Sequence, residues 1–324
     1  MSTTPTGIPT GTPTGTPTGN FTFVGVTTAK SAIMRIFPAW VEHLGVGPVG
    51  ISGCDLPLHA PPERYREVVE VIRDRPAEVG GLVTTHKIDL FTACRDMFDY
   101  IDPYAETCGE LSCLSKRDGL LRAHAKDPIS SGRSLDEFIE PGYWASGGPE
   151  VLLFGAGGSN LAITLYLMTG RPAGDRPRRI VVVNRSPARL ESMRALHQRL
   201  GTGVLVEYVH NADPAENDRL LGTMPVGSLV VNGTGMGKDS PGSPVTGGGT
   251  FPEGARVWEL NYRGELEFLH QARAQAAGRD LVVEDGWRYF VHGWTCVLEE
   301  VFDVPMTTEV VGQLSEIALE LRST

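Results

Sequence analysis

No stretch of about 18 consecutive apolar residues, the length a membrane-spanning helix needs, occurs in this sequence, and neither does the short apolar core of a secretory leader. Export and membrane insertion are therefore not expected, and a cytoplasmic protein is. Cysteine is scarce. The five present (Cys54, Cys94, Cys108, Cys113 and Cys296) are odd in number and form no Cys-x-x-Cys pair, which suits reduced, buried thiols better than a disulfide framework. His43, His124, His210 and His270 are too scattered to suggest a metal site, and none is expected. Basic residues are outnumbered, 29 Lys and Arg against 39 Asp and Glu, and the net charge is −10. With no basic stripe to offset that charge, nucleic acid and anionic membrane are poor partners, and any anion must be bound locally.

What is present fits a two-domain α/β enzyme: 324 residues exceed the size at which one core stops growing, and 41% hydrophobic content fills two. Residues 1–20 are set apart by Thr-Pro-Thr-Gly repeats with Ile8 as their one large apolar side chain, so a disordered tail is expected there. Order begins in an alternating strand from Asn20 to Val26, with a helix from Ser31 through Leu44. A short strand lies within Gly47–Leu56, a helix opens at Pro61-Pro62, and a third strand from Gly80 runs into His86-Lys87. The pattern stays βαβ-like as far as Asp127, and a Gly-, Ser- and Pro-rich segment, Ser130 to Gly148, then joins this half to the next. The expected division is 21–135 for a substrate-binding and catalytic domain and 136–285 for a nucleotide-binding domain. The remainder, 286–324, forms closing helices that pack back toward the first domain.

The nucleotide assignment rests on Val151-Leu-Leu-Phe154, a wholly apolar strand that stops at Gly155-Ala156-Gly157-Gly158-Ser159 and resumes as an apolar helix. Gly155 permits a tight turn, while Gly157 and Gly158 keep Cβ atoms away from a pyrophosphate that faces the positive end of the helix. The next strand, Arg179 to Asn184, ends where such domains read the adenosine ribose. Most NAD binders carry an acid there. Here Asn184-Arg185-Ser186 and Arg189 offer two guanidiniums and no carboxylate, so the expected cofactor is NADP(H). Further strands at Val204–His210, Ser228–Asn232 and Val257–Asn261 continue the doubly wound pattern, and Asn232-Gly233-Thr234-Gly235-Met236-Gly237 should pass beside the nicotinamide half.

These residues together resemble the shikimate/quinate dehydrogenases, from about Phe23 to the last helix. The resemblance is carried by Gly155-Ala-Gly-Gly-Ser159, Asn184-Arg-Ser-Pro-Ala-Arg189, Val231-Asn-Gly-Thr234 and Glu284-Asp-Gly-Trp287. It implies an N-terminal βαβ substrate domain, a C-terminal Rossmann domain and an active site in the cleft between them, and it adds Leu260 and Gly286 to the cofactor residues. It also matches Lys87 and Asp127 to the family's catalytic lysine and aspartate, and it allows monomers and homodimers alike. Lys87 stands at a helix start, a poor place for a cation unless it serves chemistry. Hydride transfer to or from a carbon requires a proton to enter or leave its oxygen, which a lysine beside a carboxylate can relay.

Departures from the family bear on the substrate. The Ser-x-Ser-Pro that grips shikimate's carboxylate becomes Ala29-Lys30-Ser31-Ala32, a substrate-binding asparagine becomes Ser112, another becomes Leu82, and a closing-helix glutamine falls at Gly293. Lost hydrogen-bonding groups leave polar substrate atoms unpaired at roughly 1 to 3 kcal/mol each. Thr28, Ser31, Thr84, Ser112 and Tyr262 are the remaining substrate-binding candidates, and Trp294, with His292, would reshape the pocket. The expectation is an NADP(H)-dependent dehydrogenase of a shikimate-like cyclic polyol or related carbocycle. The alternatives are a genuine shikimate, quinate or aminoshikimate dehydrogenase and a non-catalytic NADP sensor.

Overall fold

A computed structural model describes residues 18–238 and 240–322. The expected tail lies outside the described residues except for its end, where Gly19 and Asn20 already belong to the first strand. The chain divides into two compact units, Met1–Ala125 with Val297–Thr324, and Lys126–Cys296.

In the first unit, β1 (Gly19–Gly25), α1 (Ile33–Leu44), β2 (Val49–Asp55), α2 (Pro62–Asp74), β3 (Glu78–Val83) and α3 (Lys87–Cys94) follow in βαβ order. The parallel pairs β1–β2 and β1–β3 form one half of a six-stranded sheet. The other half departs from the expected pattern. After β4 (Tyr100–Ile101) and α4 (Pro103–Cys108), β5 (Cys113–Arg117) and β6 (Leu120–His124) form an antiparallel hairpin, and β5 also runs antiparallel to β3. The strand order is β2-β1-β3-β5-β6-β4. The hairpin turns at Asp118-Gly119, both at positive φ (55° and 78°), which matches the twist of the strands it joins. One core of this unit gathers Val24, Val83 and Leu114 from the sheet with Tyr65, Val69 and Ile72 from α2 and Leu90 from α3.

The second unit begins with α5 (Asp127–Asp136), which corrects the reading of Ser130–Gly148 as a joining segment. Its serines and glycine are small for a packing reason: Ser130, Ser131 and Ser134 are buried, and a Cβ at Gly132 would lie 2.4 Å from the Tyr166 ring. There follow β7 (Val151–Phe154), α6 (Gly158–Leu165), β8 (Arg179–Asn184), α7 (Pro187–Leu200), β9 (Leu205–His210), α8 (Pro214–Gly222), β10 (Leu229–Asn232), β11 (Arg256–Glu259), α9 (Glu267–Arg279) and β12 (Val282–Glu284). All six strands are parallel, in the order β9-β8-β7-β10-β11-β12. Buried strands divide their apolar residues between two faces. Val151, Leu153, Ile180 and Val182 join one core with Ile163 and Leu190, while Leu152, Phe154, Val181 and Val183 join another with Leu221 and Phe268.

Two helices close the chain, α10 (Trp287–Phe302) and α11 (Thr308–Arg322). The division between units falls within α10, so α11 belongs to the first. There it packs on α1, whose Trp40 Nε1 donates to the Leu314 carbonyl at 2.7 Å. Among the described residues no helix is long and apolar enough to cross a membrane, and no group of His, Cys, Asp and Glu is placed to hold a metal.

Candidate active site

In a doubly wound sheet a ligand binds beyond the carboxyl ends of the strands, where the strand order reverses. In the second unit that point lies between β7 and β10, and a cavity of about 430 Å³ opens there. Gly155, Ala156 and Gly157 line it from the β7–α6 turn, Asn184, Arg185 and Ser186 from the end of β8, Arg189 from the first turn of α7, and Gly233 and Thr234 from the end of β10. These nine lining residues are among those named from the sequence. Sequence reasoning missed Asn211, Ala212, Pro214, Asn217 and Pro244. Asn211 and Ala212 directly follow β9, a position the carboxyl-end rule could have singled out.

The turn is built for close approach. Gly155 adopts φ 102°, and a Cβ there would meet the Gly233 carbonyl at 2.8 Å. At Gly157 and Gly158 a Cβ would meet no protein atom within 4 Å, so their smallness serves no packing and leaves the cradle open. Beneath it, the buried Asn160 Nδ2 donates to the carbonyls of Phe154 and Gly155, both at 2.8 Å. Gly158 and Ser159 form the first turn of α6, whose N-terminal amides face an anion favourably.

Arg185 and Arg189 are exposed, and among the described residues they pair with no carboxylate and no acidic residue lines the cavity. Arg179 shows the contrast. At the other end of β8 it is held by Glu150 and Glu207 at 2.6 and 2.8 Å. The two cavity guanidiniums are therefore available to a phosphate, and the donor set fits a 2′-phosphorylated dinucleotide.

Asn232 does not line the cavity; it is fully buried and organises the residues that do. Its Oδ1 accepts from the Thr234 amide (3.1 Å) and hydroxyl (2.7 Å), and its Nδ2 donates to Glu259 at 2.7 Å. Glu259, also fully buried, accepts from the Asn261 amide and side chain, and Asn261 Nδ2 reaches the Met236 carbonyl. Burial pushes the Glu259 carboxyl up to about 7 against the lowering by these donors. Leu260 and Gly286 lie behind this network, where a Cβ on Gly286 would collide with the Leu260 carbonyl. Tyr262 is half-buried in an aromatic cluster with Trp287 and Phe290, with centroid separations of 4.9 to 6.1 Å. Trp294 is buried in α10. His292 is taken up by Glu137, whose Oε1 lies 2.5 Å from its Nε2.

In the first unit, the corresponding edge gathers Thr28, Ser31, Thr84 and Lys87. Thr28 opens a 3-10 turn, Thr28–Lys30, and is buried. Ser31 closes that turn through its backbone amide. Thr84 and Thr85 follow β3, and Thr85 takes φ 62°, a left-handed conformation that a β-branched residue adopts only when its surroundings impose it. That turn sends His86 inward, where it is 1% exposed, and makes Lys87 the half-buried first residue of α3. His86 Nε2 donates to the Leu56 carbonyl at 3.1 Å, and its Nδ1 lies 3.2 Å from the Tyr65 hydroxyl, which also reaches Asp89 at 3.4 Å. Ser112 is buried, with its amide bonded to the His124 carbonyl and its carbonyl to the Val83 amide. Asp127, half-buried, is the first residue of α5 in the second unit.

No protein-family model and no curated protein matches this sequence. Solved structures do. The ligand-free 5-ketofructose reductase of Gluconobacter sp. strain CHM43 superposes with a TM-score of 0.69 at 21% identity, over 93% of this chain and 99% of that one. A shikimate 5-dehydrogenase from Thermus thermophilus, in complex with NADP(H) and shikimate, gives 0.64 at 23%, over 93% and 99%. Quinate dehydrogenase from Corynebacterium glutamicum, in complex with NAD, gives 0.71 at 17%, over 94% and 100%. The fold of this chain is that of the shikimate and quinate dehydrogenases.

Proposed function

We propose that this chain is a divergent shikimate dehydrogenase-like oxidoreductase that uses NADP(H) to interconvert a secondary alcohol and a ketone on a cyclic polyol or related carbocycle. The observation that carries this reading is the pair of uncommitted guanidiniums, Arg185 and Arg189, on a glycine-cradled cavity whose described lining holds no acidic residue. The relatives in fold add weight to it: two are complexes with NADP(H) or NAD, and a third is a reductase of a keto sugar.

A bound nicotinamide would supply or accept the hydride. The chain's own part is the proton and the fit. Lys87 Nζ gives a proton to the carbonyl oxygen during reduction and receives one from the hydroxyl during oxidation, with Asp127 as the second group of the pair and an anchor for a substrate hydroxyl. Gly157, Gly158 and the first turn of α6 take the pyrophosphate. Arg185 and Arg189 take the 2′-phosphate, and the Asn232–Thr234 turn faces the nicotinamide half.

The direct test is to follow reduced-nicotinamide absorbance with NADP(H) and NAD(H) against shikimate, quinate, aminoshikimate and a panel of cyclic polyols and ketones. NADP(H)-dependent turnover is the expected result, and Lys87→Ala should lower kcat by about 10²- to 10⁴-fold while NADP+ binding persists. Tight NADP+ binding without turnover on any member would favour the non-catalytic sensor.

A further inference from the structure

Resting on that hydride-transfer reading, we propose that Asp55 sets the charge of the substrate: the group seated at the carboxyl ends of β1 and β2 is an uncharged, hydroxyl-bearing carbon, and carboxylates are turned away. Asp55 is the last residue of β2. Its Oδ1 accepts from the Thr28 amide at 2.8 Å and from the Thr28 hydroxyl at 2.6 Å. Both donors of Thr28 are thereby committed. What remains on that hydroxyl is lone pairs, which a carboxylate cannot use.

Asp55 stands beside the start of the helix that bears Lys87. A Cβ on Gly25 would lie 3.1 Å from the methyl groups of both Thr28 and Thr84, so the two threonines flank one point at the end of β1. The next residue after Asp55, Leu56, donates its amide to the Gly25 carbonyl at 2.8 Å and receives the hydrogen bond from His86, the neighbour of Lys87. The side chain of Asp55 is exposed, and its Oδ2 takes no hydrogen bond among the described residues. The bonds from Thr28 hold this carboxyl below the usual range, so it is anionic at neutral pH. A substrate carboxylate brought to this edge meets a fixed negative charge, and both donors of Thr28 are already spent on it. A hydroxyl instead finds a charged acceptor, and charge-assisted hydrogen bonds are the stronger kind.

The test uses a matched pair: shikimate and the primary alcohol obtained by reducing its carboxyl group, each assayed for kcat/KM with NADP+. In the wild-type protein the alcohol should be preferred by about tenfold or more, with the difference in KM. Asp55→Asn should shrink that ratio by lowering KM for the acid. Because this variant alters a tight turn, the wild-type protein provides an independent measurement: raising ionic strength should lower KM for the acid and leave that for the alcohol unchanged. Preference for shikimate in the wild-type protein, or a ratio unmoved by both Asp55→Asn and salt, overturns the assignment while leaving the hydride-transfer reading intact. Loss of that reading has its own signature, which is NADP+ binding with no turnover of either compound or of any member of the polyol and ketone panel, and it would remove this assignment as well.

Discussion

Arg185 and Arg189 differ from Arg179 of β8 and Arg194 of α7 by having no carboxylate to answer to among the described residues. Replacing both with alanine should raise KM for NADP+ by about 10- to 100-fold per guanidinium lost, and leave KM for NAD+ nearly unchanged, in steady-state assays with the two cofactors. A second residue-scale prediction concerns two buried groups with opposite pH signatures. His197, bonded to Thr164 and Tyr208 and pushed by burial from the usual 6.5 to about 4, is more protonated in the unfolded chain. Its contribution is complete above pH 6.5 and is lost as pH falls toward 4, on the order of 3 kcal/mol. Glu259, raised from 4.5 to about 7, works the other way: its contribution is complete below 4.5 and is lost as pH rises through 7. Each masks the other in the wild-type protein. Urea denaturation across about pH 4 to 7.5 should show stability rising with pH in Glu259→Gln and falling with pH in His197→Asn. The cavity guanidiniums were legible in the sequence because a strand end and a glycine turn fix their place. Glu259 and Asn160 were not, since a side chain that serves the site from underneath has no local pattern.

Among elements, those with strong periodicity were legible: the apolar run of β7, the helical spacing of Tyr65, Val69 and Ile72 in α2, and the strand endings around the cavity. Composition misled at α5, where serine, glycine and proline are the marks of a loop. Proline in the first helical turn and small residues against an aromatic ring are equally compatible with a packed helix. The β5–β6 hairpin went unread although Asp118-Gly119 is a strong hairpin dipeptide, because the parallel pattern before it set the expectation. β12 is three residues long and joins a sheet only through β11, which no local signal announces. The packing of α5 is directly testable. Gly132→Ala should destabilise the protein by about 1 to 3 kcal/mol through overpacking on Tyr166, and Tyr166→Ala in the same chain should recover part of that loss, measured as a coupling in a double-mutant cycle of urea denaturation.

For the molecule as a whole, the telling fact is that the first unit is not continuous in sequence. Val311, Leu314 and Ala318 of α11 are buried, and Trp40 of α1 takes its hydrogen-bond partner from that helix. A chain ended at Cys296 should therefore lose the ordered environment of Trp40, the one tryptophan of the five that lies in the first unit. It should still bind NADP+ within about tenfold of the full-length protein, because its cavity is made from residues 154–244. Near-ultraviolet circular dichroism, compared with Trp40→Phe, separates the two outcomes. The same discontinuity governs the order of events during synthesis. The middle of the chain can finish folding on the ribosome, whereas its beginning must wait for α11 to emerge, an interval of tens of seconds at about 5 to 20 residues per second in which the apolar face of α1 stands open to chaperones.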